Sequence, residues 1–290
     1  MAVLKKLFGR DEKPERELTI EDLVTLERYD EAATRLRARI KSAPKDLHAH
    51  LKLAEVYVEL RVLDKALDEY VFVADSYVAD GFFDKGVALL GKARKLLPGD
   101  DMLPRRIEQY RRQKRLDRRR RLAIEGLAAN TTTSKAAGNS AVELELLWNQ
   151  ITKSHLVEAL TGSQLKRLFS AMEMRTLAVD DILGEAGTAD ARLYLVVNGV
   201  VEATARIDQE PVSIRTFTTG DIIGDVALLE RKPWPATFRV KTAGIAFCLD
   251  RRGFEQVMVG NEDPRGFIAT LRRQDNDRDV ARTIAALRNR

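Results

Sequence analysis

From Thr19 to Pro98 apolar residues return at intervals of three and four, the spacing that lays one stripe along a helix. Leu51, Leu53, Ala54, Tyr57 and Leu60 make one stripe, which breaks at Arg61 and Val62. A second carries Leu63, Ala66, Leu67, Tyr70, Val73, Ala74 and Tyr77 as far as Asp80 and Gly81. A third runs from Phe82 and Phe83 through Val87, Leu90, Ala93 and Leu97 to Pro98 and Gly99. Helices stopped this often by Gly, Pro and short polar turns predict a series of helical hairpins.

The pattern changes in the second half. SQLKRLFSAMEMRTL, from Ser163 to Leu177, still has a helical face in Leu165, Leu168, Phe169 and Met172. Short runs then follow: EMRTLAV, RLYLVVNG, VVEATARI, VSIRTF, ATFRVKT and IAFCLD, alternating or compact, rich in β-branched residues and separated by Gly, Asp or Pro. They predict strands of a small sandwich or jelly roll, with Asn198 and Gly199 in a tight turn between two of them. Between the halves, NTTTSKAAGNSA has no apolar period and reads as a linker. The expected organisation is multidomain: a helical repeat domain at 18–115, a basic and small-polar linker at 116–141, a sheet domain at 142–275, and a C-terminal helix or tail at 276–290.

Charge alters this picture in one place. Arg105 to Arg121 holds ten basic residues against Glu108 and Asp117, a local excess of +8 in a chain whose net charge is only +5. Within it RRQKRLDRRRR, Arg111 to Arg121, can continue a helix. An anionic membrane, a nucleic acid, an acidic protein surface or acidic residues of the same chain all remain open as its partners. The absence of aromatic residues there argues against single-strand stacking and specific DNA binding. No apolar run approaches the ~20 residues that cross a bilayer, and the amino terminus turns polar early, so a cytoplasmic location without a transmembrane segment is expected. The single cysteine, Cys248, sits in GIAFCLD and reads as a buried thiol. His48, His50 and His155 are too few and too scattered for a zinc site, so no metal and no cofactor is expected.

The first half also repeats itself. RYDEAATRLRARIKSAPKD (Arg28–Asp46) is echoed by FFDKGVALLGKARKLLPGD (Phe82–Asp100), Tyr29 matching Phe83 and Pro44 matching Pro98. LAEVYVELRVLDKALDEY lies between them, with Ala54, Tyr57, Ala66 and Tyr70 suitably placed. Small residues permit close helix approach and aromatics fill the space between hairpins. On these residues the region 18–100 resembles the tetratricopeptide repeat family, although the 54-residue offset of the two echoes is not a multiple of its 34-residue period. The resemblance implies a platform that docks a protein partner, with Tyr57, Tyr70 and Tyr77 as docking candidates; self-association and a purely structural spacer are further options.

The stretch FTTGDIIGDVALLERKPWPATFRV, residues 217–240, together with the upstream LYLVVNGVVEA, resembles the phosphate-binding cassette and strand–turn–strand of cyclic nucleotide-binding domains. The resemblance runs from about Leu144 to Phe267 and implies an eight-stranded jelly roll with flanking helices. In such a cassette a glycine lets the backbone approach the ligand, N–H groups at the start of a short helix attract phosphate, an acidic side chain accepts the ribose hydroxyl, and an arginine forks onto the phosphate. In this register Gly224 takes the glycine's place and Asp225 that of the acidic residue, one methylene shorter, followed by Val226, Ala227 and Leu228. Trp234, after Pro233, falls on the arginine, and Ala236 and Thr237 complete the motif.

The missing cation is the important departure, because losing one partner of a buried charge pair costs about 2 to 5 kcal/mol. It favours loss of ordinary cyclic AMP or cyclic GMP binding. Two alternatives stand beside that reading: a weak or altered site in which Arg239 or Trp234 contacts a ligand, and a Trp234 that plugs the cavity. Enzyme chemistry is not expected. Asp180 with Asp181, and Asp208 with Glu210, sit in turns without a nucleophile or metal motif. The 23 residues after Phe267 are too few for an added DNA-reading domain. The expected function is a non-enzymatic adaptor or regulatory scaffold; a ligand-responsive signalling protein and a purely structural assembly protein are the alternatives.

Overall fold

The computed structural model describes residues 18–131, 141–152, 154–274 and 276–289. The chain divides into two compact units, Met1–Arg115 and Leu116–Arg290.

In the first unit the helices are α1 (Ile20–Thr25), α2 (Tyr29–Ser42), α3 (Leu47–Glu59), α4 (Leu63–Ala79), α5 (Phe83–Leu96) and the opening of α6 (Met102–Thr131). Local chemistry sets the boundaries. Thr19 and Asp22 form a capping box on α1, and the Asp46 carboxylate accepts the Ala49 N–H at 3.1 Å to start α3. Arg61 (φ +61°) and Gly81 (φ +81°) adopt the left-handed conformation just after α3 and α4. Each of α1 to α4 packs on the next. α2, α4 and α5 bury matching positions, Ala32 with Leu36, Ala66 with Tyr70, and Gly86 with Leu90. The first two pairs are 34 residues apart, which resolves the irregular 54-residue echo into steps of 34 and 20.

The second unit begins inside α6. Residues 116–131 of the expected linker are helical, with Ala123 and Leu127 buried in this unit's core; residues 132–140 lie outside the described residues. The arginine run Arg118–Arg121 just before it and the small polar stretch from Asn130 after it hide that apolar i, i+4 pair in the sequence. Helices α7 (Ala141–Ile151), α8 (His155–Ala159) and α9 (Gly162–Ala171) lead to the sheet. α9 stops before Met172 and residues 173–177 become a strand, so the helical face read through Leu177 is cut short.

The strands are β1 (Glu173–Leu177), β2 (Ile182–Gly184), β3 (Arg192–Ile207), β4 (Glu210–Phe217), β5 (Ile222–Ile223) and β6 (Thr237–Asp250), with α10 (Asp225–Glu230) before β6. They form a six-stranded antiparallel sheet in the order β1-β6-β3-β4, with β2 pairing β6 and β5 pairing β3. The eight strands implied by the resemblance reduce to six because β3 and β6 each join two expected strands. Asn198 and Gly199 therefore make no hairpin turn. The register between β3 and β6 shifts there, and Gly199 (φ +94°) faces Gly244 so closely that a Cβ on Gly244 would lie 2.2 Å from the Asn198 carbonyl oxygen. Three helices close the chain: α11 (Arg251–Met258), α12 (Pro264–Arg272) and α13 (Asn276–Arg288). The segment 276–290, expected as a helix or tail, contains the packed helix α13, whose Val280 and Ile284 enter the core of the sheet.

Candidate functional site

β5 passes through Gly224 into α10, and this corner is the expected cassette. Gly224 is left-handed (φ +90°), and a Cβ there would stand 2.1 Å from the Arg192 carbonyl oxygen, so only glycine fits. The N–H groups of Gly224 and Val226 both donate to a carboxylate of the chain itself. Asp277, in the first turn of α13, accepts from Gly224 at 3.0 Å and from Val226 at 3.2 Å. Its own N–H donates to Asp225 Oδ1 at 3.4 Å, and the Asn276 amide donates to the Ile222 carbonyl at 2.7 Å. Arg278 pairs with Glu230 at the far end of α10. Three consecutive residues at the start of α13 are thus bonded to the cassette.

Asp225, expected to face a sugar hydroxyl, is buried, as is Asp277. Burial, then the neighbouring Asp277 carboxylate, pushes the Asp225 carboxyl up to about 7. Burial also raises Asp277, against the opposing pull of the N–H groups it accepts. Such a pair favours one proton shared between two carboxylates.

Trp234 is buried within the sheet core. Its indole N–H donates to the Asp190 carbonyl at 3.0 Å, and its ring meets Phe238 edge-on at 5.1 Å. Gly184 makes room for it, since a Cβ there would fall 2.3 Å from the indole. Ala227 and Ala236 are buried beside it, and the Thr237 hydroxyl accepts the Ala186 N–H at 3.2 Å. Arg239 does not reach the cassette: its guanidinium donates to the Asp180 carbonyl at 3.1 Å. Lys232 pairs with Glu230 at 2.8 Å, and Arg231 is exposed.

Tyr57 and Tyr70 are core residues of the helical unit, where stacking helices need bulk; Tyr77 is half-buried, with the Lys85 ammonium 5.5 Å from its ring centre. Much of the basic segment is neutralised from within, by Arg106 with Asp75, Lys114 with Asp84, Arg115 with Glu108, Arg120 with Glu145 and Arg121 with Asp117. His50 is a satisfied core side chain, between Glu69 at 2.5 Å and the Pro44 carbonyl at 3.1 Å. No cluster of three metal-ligating side chains occurs among the described residues, and no helix among them is long and apolar enough to cross a membrane. Cys248 is buried, and burial raises its thiol.

Residues 174–261 match the cyclic nucleotide-binding domain family. The sheet unit carries a cyclic-nucleotide-binding-like domain. It is joined to an amino-terminal helical region. The domain is similar to a cAMP-dependent protein kinase regulatory subunit from Candida albicans, 22% identical over 41% of this chain and 25% of that protein. It is also similar to a cAMP-dependent protein kinase type II regulatory subunit from Drosophila melanogaster, 24% identical over 36% of this chain and 26% of that one. The match therefore spans about a quarter of these relatives' length. Among solved structures, the regulatory domain of Toxoplasma gondii PKA, crystallised with cAMP, aligns at 25% identity and a TM-score of 0.38, covering 41% of this chain and 46% of that one.

Asp277 is the site residue that sequence reading missed. Its one signal is position, an acidic residue opening a helix whose Val280 and Ile284 return at i+3 and i+7.

Proposed function

We propose that the chain is a non-enzymatic regulatory adaptor whose helical unit, read as tetratricopeptide-like, docks a protein partner. The cyclic-nucleotide-binding-like domain, read as a jelly roll of that family, is closed on itself. One observation carries this reading: the cassette N–H groups of Gly224 and Val226 already hold the carboxylate of Asp277. Trp234 supports it from the other side, filling with an apolar ring the place where the family resemblance puts an arginine. A phosphate entering here has to displace a bonded carboxylate and finds no cation at position 234. The phosphate takes over those N–H groups, but the displaced Asp277 carboxylate loses both donors, which for a buried group costs about 1 to 3 kcal/mol, so displacement is opposed.

A second reading, a ligand-responsive signalling protein, draws support from the family match over 174–261 and from the retained left-handed Gly224. In that reading a cyclic nucleotide displaces Asp277 and frees the start of α13. Calorimetric titration of the whole chain with cyclic AMP and cyclic GMP separates the two. The self-closed reading predicts no saturable heat at micromolar nucleotide; sub-micromolar binding of either nucleotide replaces it with the second.

A further inference from the structure

Helix α5 carries two interior glycines with opposite surroundings. A Cβ on Gly86 would lie 2.7 Å from Val78 Cγ2 and 3.0 Å from the Ala74 carbonyl oxygen, so packing against α4 accounts for that glycine. A Cβ on Gly91 would meet nothing within 4 Å. Glycine weakens a helix interior, and nothing among the described residues requires it at position 91.

Gly91 opens into a cavity of about 540 Å³ between α5 and α6. Val87, Pro104 and Ile107 share its floor, and Arg94, Lys95 and Arg111 line its edge. The spacing explains the assembly: 87, 91, 94 and 95 lie on one face of α5, and 104, 107 and 111 on one face of α6. No acidic residue lines the cavity, and Arg94 and Lys95 have no ion-pair partner among the described residues. They differ in this from Arg111, on the α6 edge of the groove, which pairs with Glu108 at 3.9 Å, and from Lys114 and Arg115 further along α6, which pair with Asp84 and Glu108.

We infer that this groove docks an acidic amphipathic segment of a protein partner, its apolar side chain on the floor, its carboxylates on Arg94, Lys95 and Arg111, and its backbone passing close over Gly91. Three features together select that occupant. An apolar floor wants an apolar anchor, which a nucleic acid backbone does not bring, and no aromatic side chain lines the groove to stack a base. The cations edge a concavity, whereas a membrane surface is met by a flat or convex face. The vacant space over Gly91 suits a close backbone approach.

The inference rests on the docking role given to the helical unit and names its site. Its test is selection from a displayed library of random peptides against the whole chain. Affinities of the selected peptides are then measured for the parent, for Gly91→Gln, and for Arg94→Glu combined with Lys95→Glu, each verified as folded by circular dichroism. The expected peptides are enriched in Asp and Glu around an apolar residue, and bind each variant at least about tenfold more weakly. Selected peptides that bind all three proteins equally overturn the groove while leaving docking by another face standing. Failure to select any peptide overturns the groove and the docking role together. Anionic lipid vesicles and a single-stranded oligonucleotide serve as further probes, and tighter binding to either than to any peptide, lost in the charge-reversed variant, overturns the choice of occupant.

Discussion

The cassette and the α5–α6 groove both gather groups that attract negative charge, and they differ in what fills them. At the cassette, two backbone N–H groups face a carboxylate from α13, and a tryptophan takes up the space beside them. At the groove, Arg94 and Lys95 stand over an apolar floor without an acidic partner among the described residues, and Gly91 faces open space. A motif that attracts anions therefore defines a receptor only after the chain's own side chains have been placed. The family motif marks the first of these places; the second carries no motif.

The largest expected effect comes from opening the filled place. Trp234→Ala should lower stability by about 3 to 5 kcal/mol, the usual cost of removing a large buried aromatic, measured by urea denaturation. Trp234→Arg should do no better, because the charge enters an apolar cluster with Tyr194, Phe217 and Phe238. A stable Trp234→Arg protein that binds cyclic AMP would erase the contrast between the two places.

Next in size is a dependence on pH. The Asp225 carboxyl is pushed up to about 7 in the folded chain by burial and by Asp277, with Arg278 opposing. Between about pH 4 and 7 the folded chain holds a proton that the unfolded chain has released, so stability is greatest at the acid end and falls as pH rises through 7. The fall should be on the order of 2 to 4 kcal/mol. Asp225→Asn should flatten it, as read from denaturation curves at mildly acidic and mildly alkaline pH; an unchanged slope moves its origin elsewhere.

Asp277→Ala, measured at mildly acidic pH where Asp225 is protonated, should cost about 1 to 3 kcal/mol for the N–H groups left without an acceptor. Asp277→Asn keeps an acceptor oxygen and should recover most of that. On the open side, Gly91→Ala should raise the stability of the helical unit by up to about 1 kcal/mol while Gly86→Ala lowers it, the two thermal midpoints moving in opposite directions. The smallest effect belongs to Lys114→Ala, whose exposed pair with Asp84 should be worth less than about 1 kcal/mol.

The residues explain why some of this was legible in the sequence and some was not. Helical stripes and strand alternation are local patterns, so α2 to α5 and four of the six strands stand near their expected places; β2 (Ile182–Gly184) and β5 (Ile222–Ile223) are too short to announce themselves. The 34-residue step from Ala32 to Ala66 was hidden by the shorter step to Gly86. Residues 116–131 looked like linker because the arginine run Arg118–Arg121 leads into Ala123 and Leu127 and a small polar stretch follows from Asn130, although two buried positions one turn apart are enough to seat a helix. Gly224, Val226 and Trp234 were found by their motif, but their environment was not, since Asp277 lies 53 residues from Gly224 along the chain. Side chains far apart in sequence decide whether such a site is open, and no local pattern carries that information.

The central claim is that Asp277 occupies the cassette, and amide hydrogen exchange at Gly224 and Val226 tests it most directly. Both amides should be protected in the parent chain, exchange at least about tenfold faster in Asp277→Ala, and stay protected in the parent when micromolar cyclic AMP is added. Fast exchange in the parent chain, or a change in both amides on adding micromolar cyclic AMP, would contradict the account.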